Sequence, residues 1–291
     1  MSFETEPHPL LVPFSEDFRL ADAPCQPPGR APGDKALKRR LEELAEELDE
    51  LQRRFYAHDS RALLLVFQAM DAAGKDSTIR AVLRGISPAG CEVHSFKPPN
   101  DAELEHDFLW RTVTRLPSKG MIGVFNRSYY EEVLVVRVHP EFLVPQRLPN
   151  AEPTATFWAQ RLESIRDHER HLARNGTVIL KFWLNVSREE QQRRFLSRLA
   201  EAEKHWKFSE QDLEESKHWD AYMQAYEAAL NATSRPGAPW YAIPADDKPY
   251  MRVQVAEILV ATLRRLNLDY PSIDAATRKR FKALRRELEK R

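Results

Sequence analysis

From Gln68 to Ser77 the chain reads Gln-Ala-Met-Asp-Ala-Ala-Gly-Lys-Asp-Ser, a run of small residues closing on Gly74-Lys75. Ala62 to Phe67 before it is unbroken apolar sequence, and Ser77 to Leu83 after it has helical spacing. A buried strand, a small-residue loop and a helix N-terminus together form a setting in which backbone N–H groups and a lysine hold phosphate oxygens. Phosphoryl transfer needs donors aimed at those oxygens, a positive charge, and a divalent ion bridging them. Ala72, Ala73, Gly74, Asp76 and Ser77 are the expected phosphate cradle, and Lys75 the charge. The loop departs from G-x-x-x-x-G-K-[ST] at two places. Ala69 stands for the first glycine, and Asp76 for the hydroxyl residue that normally helps to hold magnesium. Asp71 is therefore the expected metal ligand. Asp76 reads equally well as a helix-start acid.

A second group, Asn126-Arg127-Ser128, ends another apolar run, Gly120 to Phe125. Asn126 can orient water or phosphate but is a poor metal ligand alone. Arg127 can clamp a phosphate with two parallel hydrogen bonds, and Glu131, one helical turn on, is a candidate for acid or metal work. The alternative is a surface ion pair between Arg127 and Glu131. Lys181 interrupts the apolar run Val178 to Leu184, so it needs either a structural carboxylate or a phosphate. Arg193, Arg194, Arg198, Lys204, His205 and Lys207 crowd a segment that also holds Trp206 and Phe208. Its place after a strand suits a lid that closes over a polyanion and excludes water. Acids Glu201, Glu203, Glu210 and Asp212 share the segment, so topology rather than charge carries that reading. The histidines show no metal-ligand spacing.

These residues need a scaffold that brings strand ends together. Apolar runs at Ala62–Phe67, Cys91–Phe96, Gly120–Phe125, Thr177–Asn185 and Ala238–Pro244 alternate with helical patterns. The alternation specifies an α/β fold: a five-stranded parallel sheet with helices on both faces. Ligands bind at the carboxyl ends of such strands. Helices are expected from Asp34, where Leu37, Leu41, Leu44, Leu48, Leu51 and Phe55 share a face, over 101–115, over 156–174, from Ser187, and over 250–266. Val133–Val138 reads as helix, although its propensity alone allows strand. Residues 1–34 form a proline-rich arm, 35–270 a single domain with its lid near 193–220, and 271–291 a basic helix. Lys+Arg and Asp+Glu both number 44, which argues against nucleic acid or membrane as a global partner. Cys25 and Cys91 offer no disulfide framework. No apolar run nears the ~20 residues of a membrane span, and a cytoplasmic location is expected.

The motifs FQAMDAAGKDSTIRAVL, HSFKPPN, HDFLWR, FNRSYYEEVLVVRVH, GTVILKFWLNVSREEQQRRF, WKFSEQD and APWYAIPADDK together resemble the polyphosphate kinase 2 family, in its order and spacing, over roughly Lys35 to Leu266. The resemblance implies a P-loop kinase fold similar to thymidylate kinase, with a helical lid. It implies phosphoryl transfer between inorganic polyphosphate and AMP, ADP or ATP with Mg2+, or Mn2+ in its place; guanine nucleotides are further candidates. By motif, Asp71, Lys75, Arg127 and Glu131 would be catalytic, with Asp71 on the metal and Glu131 a second candidate ligand. Asn126, Arg137, Lys181, Arg194, Arg198, Lys204 and Lys207 would meet phosphates or nucleotide. Many members carry Asp at position 126; the Asn form looks like the subgroup acting on both nucleoside monophosphates and diphosphates. Members often carry Pro before the lid lysine, where this chain has Glu201-Ala202-Glu203-Lys204. A homodimer or homotetramer is expected. The alternatives are an ATP-dependent nucleoside or nucleotide kinase and a non-catalytic polyphosphate- or nucleotide-binding protein.

Overall fold

The structure is a computed structural model that describes every residue except Met1, Ser2, Glu4, Arg30, Asn150 and Arg291, together with the side chain of Lys207. Five parallel strands lie in the order β2-β3-β1-β4-β5: β1 Ala62–Gln68, β2 Cys91–Ser95, β3 Ile122–Asn126, β4 Thr177–Asn185 and β5 Trp240–Pro244. β1 is buried along its whole length, which is why it carries no polar alternation. The register pairs Phe67 with Asn126 and with Phe182, so the ends of β1, β3 and β4 open at one level.

The helices are α1 Asp34–His58, α2 Lys75–Val82, α3 Asp101–Leu104, α4 Trp110–Val113, α5 Val135–Val138, α6 Ala155–Arg174, α7 Arg188–Ala200, α8 Glu210–Ser216, α9 Trp219–Thr233, α10 Lys248–Arg265 and α11 Ala275–Leu288. Leu37, Leu44, Leu48 and Phe55 bury one face of α1, which packs on α10; α10 also meets α2. The apolar repeat of α1 therefore serves the body rather than a coiled-coil arm. On the other face α6 packs on α9 and β4. No helix of the described residues is long and apolar enough to cross a membrane.

The expected helix over 101–115 is broken into α3 and α4. Asn100 and Glu103 cap α3 reciprocally, and the Asp107 carboxylate then accepts from the Leu109 N–H at 2.9 Å. Asp prefers such local bonds to a helix interior, so the chain turns and restarts. Val135–Val138 is helical, following a 3-10 turn over Tyr129–Val133.

The arm has structure of its own. Leu10 and Val12 are buried, and Leu11 bridges antiparallel to Tyr241 on the edge of β5. The Phe18 N–H donates to Asn231 Oδ1 and the Leu20 N–H to Glu227 Oε2, both on α9. The backbone then passes over the ends of β4 and β5. Asn185 Nδ2 donates to the carbonyls of Ala23 and Pro24, and the Asp246 N–H to that of Cys25 at 3.0 Å. At the other terminus α11 buries none of its residues.

Candidate active site

The loop between β1 and α2 turns on two left-handed residues, Ala72 (φ 62°) and Gly74 (φ 107°). A Cβ at position 74 would meet Met251 Cε and Ser77 Oγ only at 3.4 Å, so it is the left-handed backbone that suits glycine there. Lys75 opens α2 and folds back over its own loop, donating to the carbonyl oxygens of Ala69 (2.7 Å) and Met70 (3.4 Å). Burial lowers its pKa, with Asp71 acting against the shift.

β3 delivers the partner residues. The Arg127 N–H donates to the Phe67 carbonyl at 3.1 Å, which extends the β1–β3 ladder one residue and places the Arg127 side chain beside the loop. There Nη2 donates to Asp71 Oδ1 at 3.2 Å and Nη1 to Glu131 Oε2 at 3.5 Å. Glu131 and Asp71 keep the guanidinium firmly protonated against the cost of burial. Gln68 Nε2 donates to Glu131 Oε1 at 2.9 Å. Asn126 Nδ2 donates to Asp76 Oδ1 at 2.6 Å and to Ser95 Oγ at 3.3 Å. Beside that pair a groove of about 470 Å³ opens between α2 and β2, lined by Asp76, Arg80, Arg84, Ser95 and Asn126.

A profile of the polyphosphate kinase 2 family matches residues 33–270. The chain belongs to the polyphosphate kinase 2 family. It is 53% identical over 244 residues to the ADP-polyphosphate phosphotransferase of Rhodopseudomonas palustris, covering 84% of each chain. It is 46% identical over 247 residues to the AMP/ADP-polyphosphate phosphotransferase of Meiothermus ruber, covering 85% of this chain and 88% of that one. In structure it is similar to the polyphosphate kinase 2 of Arthrobacter aurescens, with a TM-score of 0.86 and 37% identity over 97% and 98% of the two chains.

Within this polyphosphate kinase 2 fold, the strand ends bring together Asp71, Lys75, Asp76, Asn126, Arg127 and Glu131. Two carboxylates, Asp71 and Glu131, meet one guanidinium there, and carboxylate oxygens are the hard donors that divalent ions such as magnesium prefer. Other expected contacts are already committed elsewhere. Lys181 is fully buried and donates to Glu169 on α6, to the Tyr130 hydroxyl (2.9 Å) and to the Thr233 carbonyl (2.8 Å). It is a structural cation, not a phosphate ligand. Burial pushes Lys181 down to about 8 and pushes Glu169 up, while their mutual attraction opposes both shifts. Arg194 is also saturated. Nε donates to Glu190, Nη1 to the carbonyls of Ala72 and Ala73, and Nη2 to those of Ala245 and Asp246. It ties the phosphate loop to the β5–α10 turn instead of reaching substrate.

The segment expected to be a lid comprises α7, a 3-10 stretch over Ala202–Lys207, and α8. Arg198 pairs with Asp212 at 3.0 Å and Lys204 with Glu201 at 2.6 Å; the Lys207 side chain lies outside the described residues. Asp212 was not among the expected site residues. It lies near enough for the Asp71 carboxylate to add to the rise that burial gives its pKa. Arg137 on α5 is half-buried, and no hydrogen bond or ion pair to another described residue holds it. Lys248 and Arg252, at the start of α10, were not among the expected site residues; they follow the end of β5 by one short turn, where this fold class places ligands.

Proposed function

We propose that this protein transfers phosphoryl groups between inorganic polyphosphate and AMP or ADP in the presence of magnesium. The observation that carries the reading is the junction of β1 and β3, where Lys75 and Arg127 flank Asp71 at the mouth of a phosphate-binding loop. The names of the relatives support the substrate class.

In the free protein these charges satisfy one another. Phosphates would draw Lys75 from the Ala69 carbonyl and Arg127 from its carboxylates, giving each cation a stronger anion. Asp71, with Glu131 beside it, would hold the divalent ion, whose chemistry is to neutralise phosphate charge and align the two substrates. The terminal phosphate oxygen of the nucleotide attacks the end phosphorus of the chain. One phosphoanhydride bond forms as another breaks, and the chain shortens by one unit. The attacking oxygen is already anionic, so no general base is needed. Lys75 and Arg127 stabilise charge on the moving group, Asn126 orients the acceptor, and Arg198, Lys204 and Lys207 arrive with the lid. Arg137, which no other described residue holds by a hydrogen bond or ion pair, is left for the acceptor.

The test mixes AMP or ADP, long-chain polyphosphate and magnesium and follows the appearance of ADP or ATP; none above background sinks the reading. ATP tried as donor separates it from an ATP-dependent kinase. In the same assay Lys75→Ala lowers kcat by about 10²–10³ while its thermal unfolding stays close to that of the parent.

A further inference from the structure

α8 has 7 residues and buries none of them. A helix so short does not hold itself in water, and without a buried face it is not held by apolar packing either. Carboxylates on neighbouring positions of one face, Asp212 and Glu215, tie it to other elements instead. Asp212 takes the Arg198 guanidinium of α7 at 3.0 Å, a bond within the lid. Glu215 reaches the body. Its Oε2 accepts from the Tyr222 hydroxyl on α9 at 2.6 Å and stands 2.9 Å from Nε2 of His139. Glu215 and His139 keep only 21% and 13% of their side-chain surface, so these bonds are sheltered from the water that makes exposed pairs weak.

His139 is a firm point of attachment. It closes α5: its N–H donates to the Val135 carbonyl at 2.9 Å, and its own carbonyl accepts from the Phe142 N–H at 3.0 Å. The ring meets that of His218 edge-on at 4.9 Å, and Glu141 faces its Nδ1 at 3.3 Å. Tyr222 is buried. Burial, then the bond to Glu215, raises its pKa, so the hydroxyl keeps its proton and stays a donor. α5, α8 and α9 thus meet at one carboxylate oxygen.

The place of that meeting gives it a bearing on the reaction. Arg137 lies two residues before His139 on α5. On α9, Tyr226 follows Tyr222 by one turn and packs its ring on Trp183 at 5.7 Å. Trp183 is the β4 residue that pairs with Gln68 at the end of β1. Asp212, one turn before Glu215, is close enough to Asp71 for their charges to interact. A helix pinned at Glu215 therefore sets how far Asp212 and its partner Arg198 stand from the phosphate loop.

We propose that Glu215 is a positioning residue of the phosphotransfer: shared by His139 and Tyr222, its carboxylate anchors the base of the lid, so that Arg198 closes over the phosphates beside Arg137. The proposal rests on the reading in which Arg198 arrives with the lid. The test compares Glu215→Ala, Tyr222→Phe and their combination with the parent in two measurements. One is phosphoryl transfer from long-chain polyphosphate to ADP with magnesium; the other is backbone hydrogen exchange over 202–216. Glu215→Ala should lower kcat/KM for polyphosphate about ten-fold, as loss of a charge-assisted hydrogen bond implies, and should quicken exchange over 202–216. Exchange in the strands and the unfolding midpoint should stay close to the parent's, because α8 contributes no buried residue. The combination should be no slower than Glu215→Ala alone, since without the carboxylate the Tyr222 hydroxyl has nothing there to bind. Glu215→Gln, which keeps an acceptor oxygen for Tyr222, should retain most of the rate. A parent without turnover would sink the phosphotransfer reading separately, and exchange alone would then decide the anchor. The proposal is overturned by unchanged exchange over 202–216 in Glu215→Ala, by quickened exchange at an undiminished rate of transfer, by a lost rate with a lowered midpoint and faster exchange in the strands, or by losses from Glu215→Ala and Tyr222→Phe that simply add.

Discussion

Lys181 and Glu169 bury opposite charges inside β4 and α6 with two tyrosines around them. Removing one partner strands the other. Lys181→Met should therefore cost about 3–5 kcal/mol in urea unfolding, with the KM for polyphosphate close to that of the parent. A raised KM at unchanged stability would return Lys181 to the substrate. The contrast with Lys75 shows what single residues disclose. Lys75 is legible because strand, loop and helix around it are local in sequence. Lys181 announces only that a buried strand holds a charge; its acid lies on another element and is brought to it by packing. Arg194 is harder still, because four of its five acceptors are backbone carbonyls, and those leave no mark in a sequence.

At the scale of elements, the starts of α2, α7 and α10 converge on the phosphate loop, and Lys248 brings a titration with it. Its neighbours are Arg193, Arg194 and Glu190 on α7 and Arg252 on its own helix. Its ordinary value of 10.5 in the unfolded chain falls to about 8 in the fold. Between those values the unfolded chain holds a proton that the fold has released, so this group makes the protein more stable as pH rises through that window. In urea unfolding the rise of stability with pH between those values should flatten in Lys248→Met, and an unchanged slope would assign it to another group. The strands and long helices were legible from period and burial. The break between α3 and α4 was not, because it turns on one Asp107 carboxylate choosing a nearby N–H.

For the whole molecule, the alternation of strands and helices made the sheet class readable, but not the course of the arm, whose prolines have no period. The arm nevertheless buries Leu10 and Val12. Deleting residues 1–26 should lower unfolding free energy by about 3–6 kcal/mol, from two aliphatic side chains at roughly 1.5–3 kcal/mol each; an unchanged denaturation midpoint would mean the arm is only draped on the body. The self-satisfied core of the site has a consequence of another kind. Lys75 and Arg127 rest on carbonyls and carboxylates of the protein itself, so a phosphate arriving there displaces an internal partner and frees few salt ions. The reaction centre thus behaves as an ion exchanger, and added salt should weaken its grip on the phosphate being moved only shallowly.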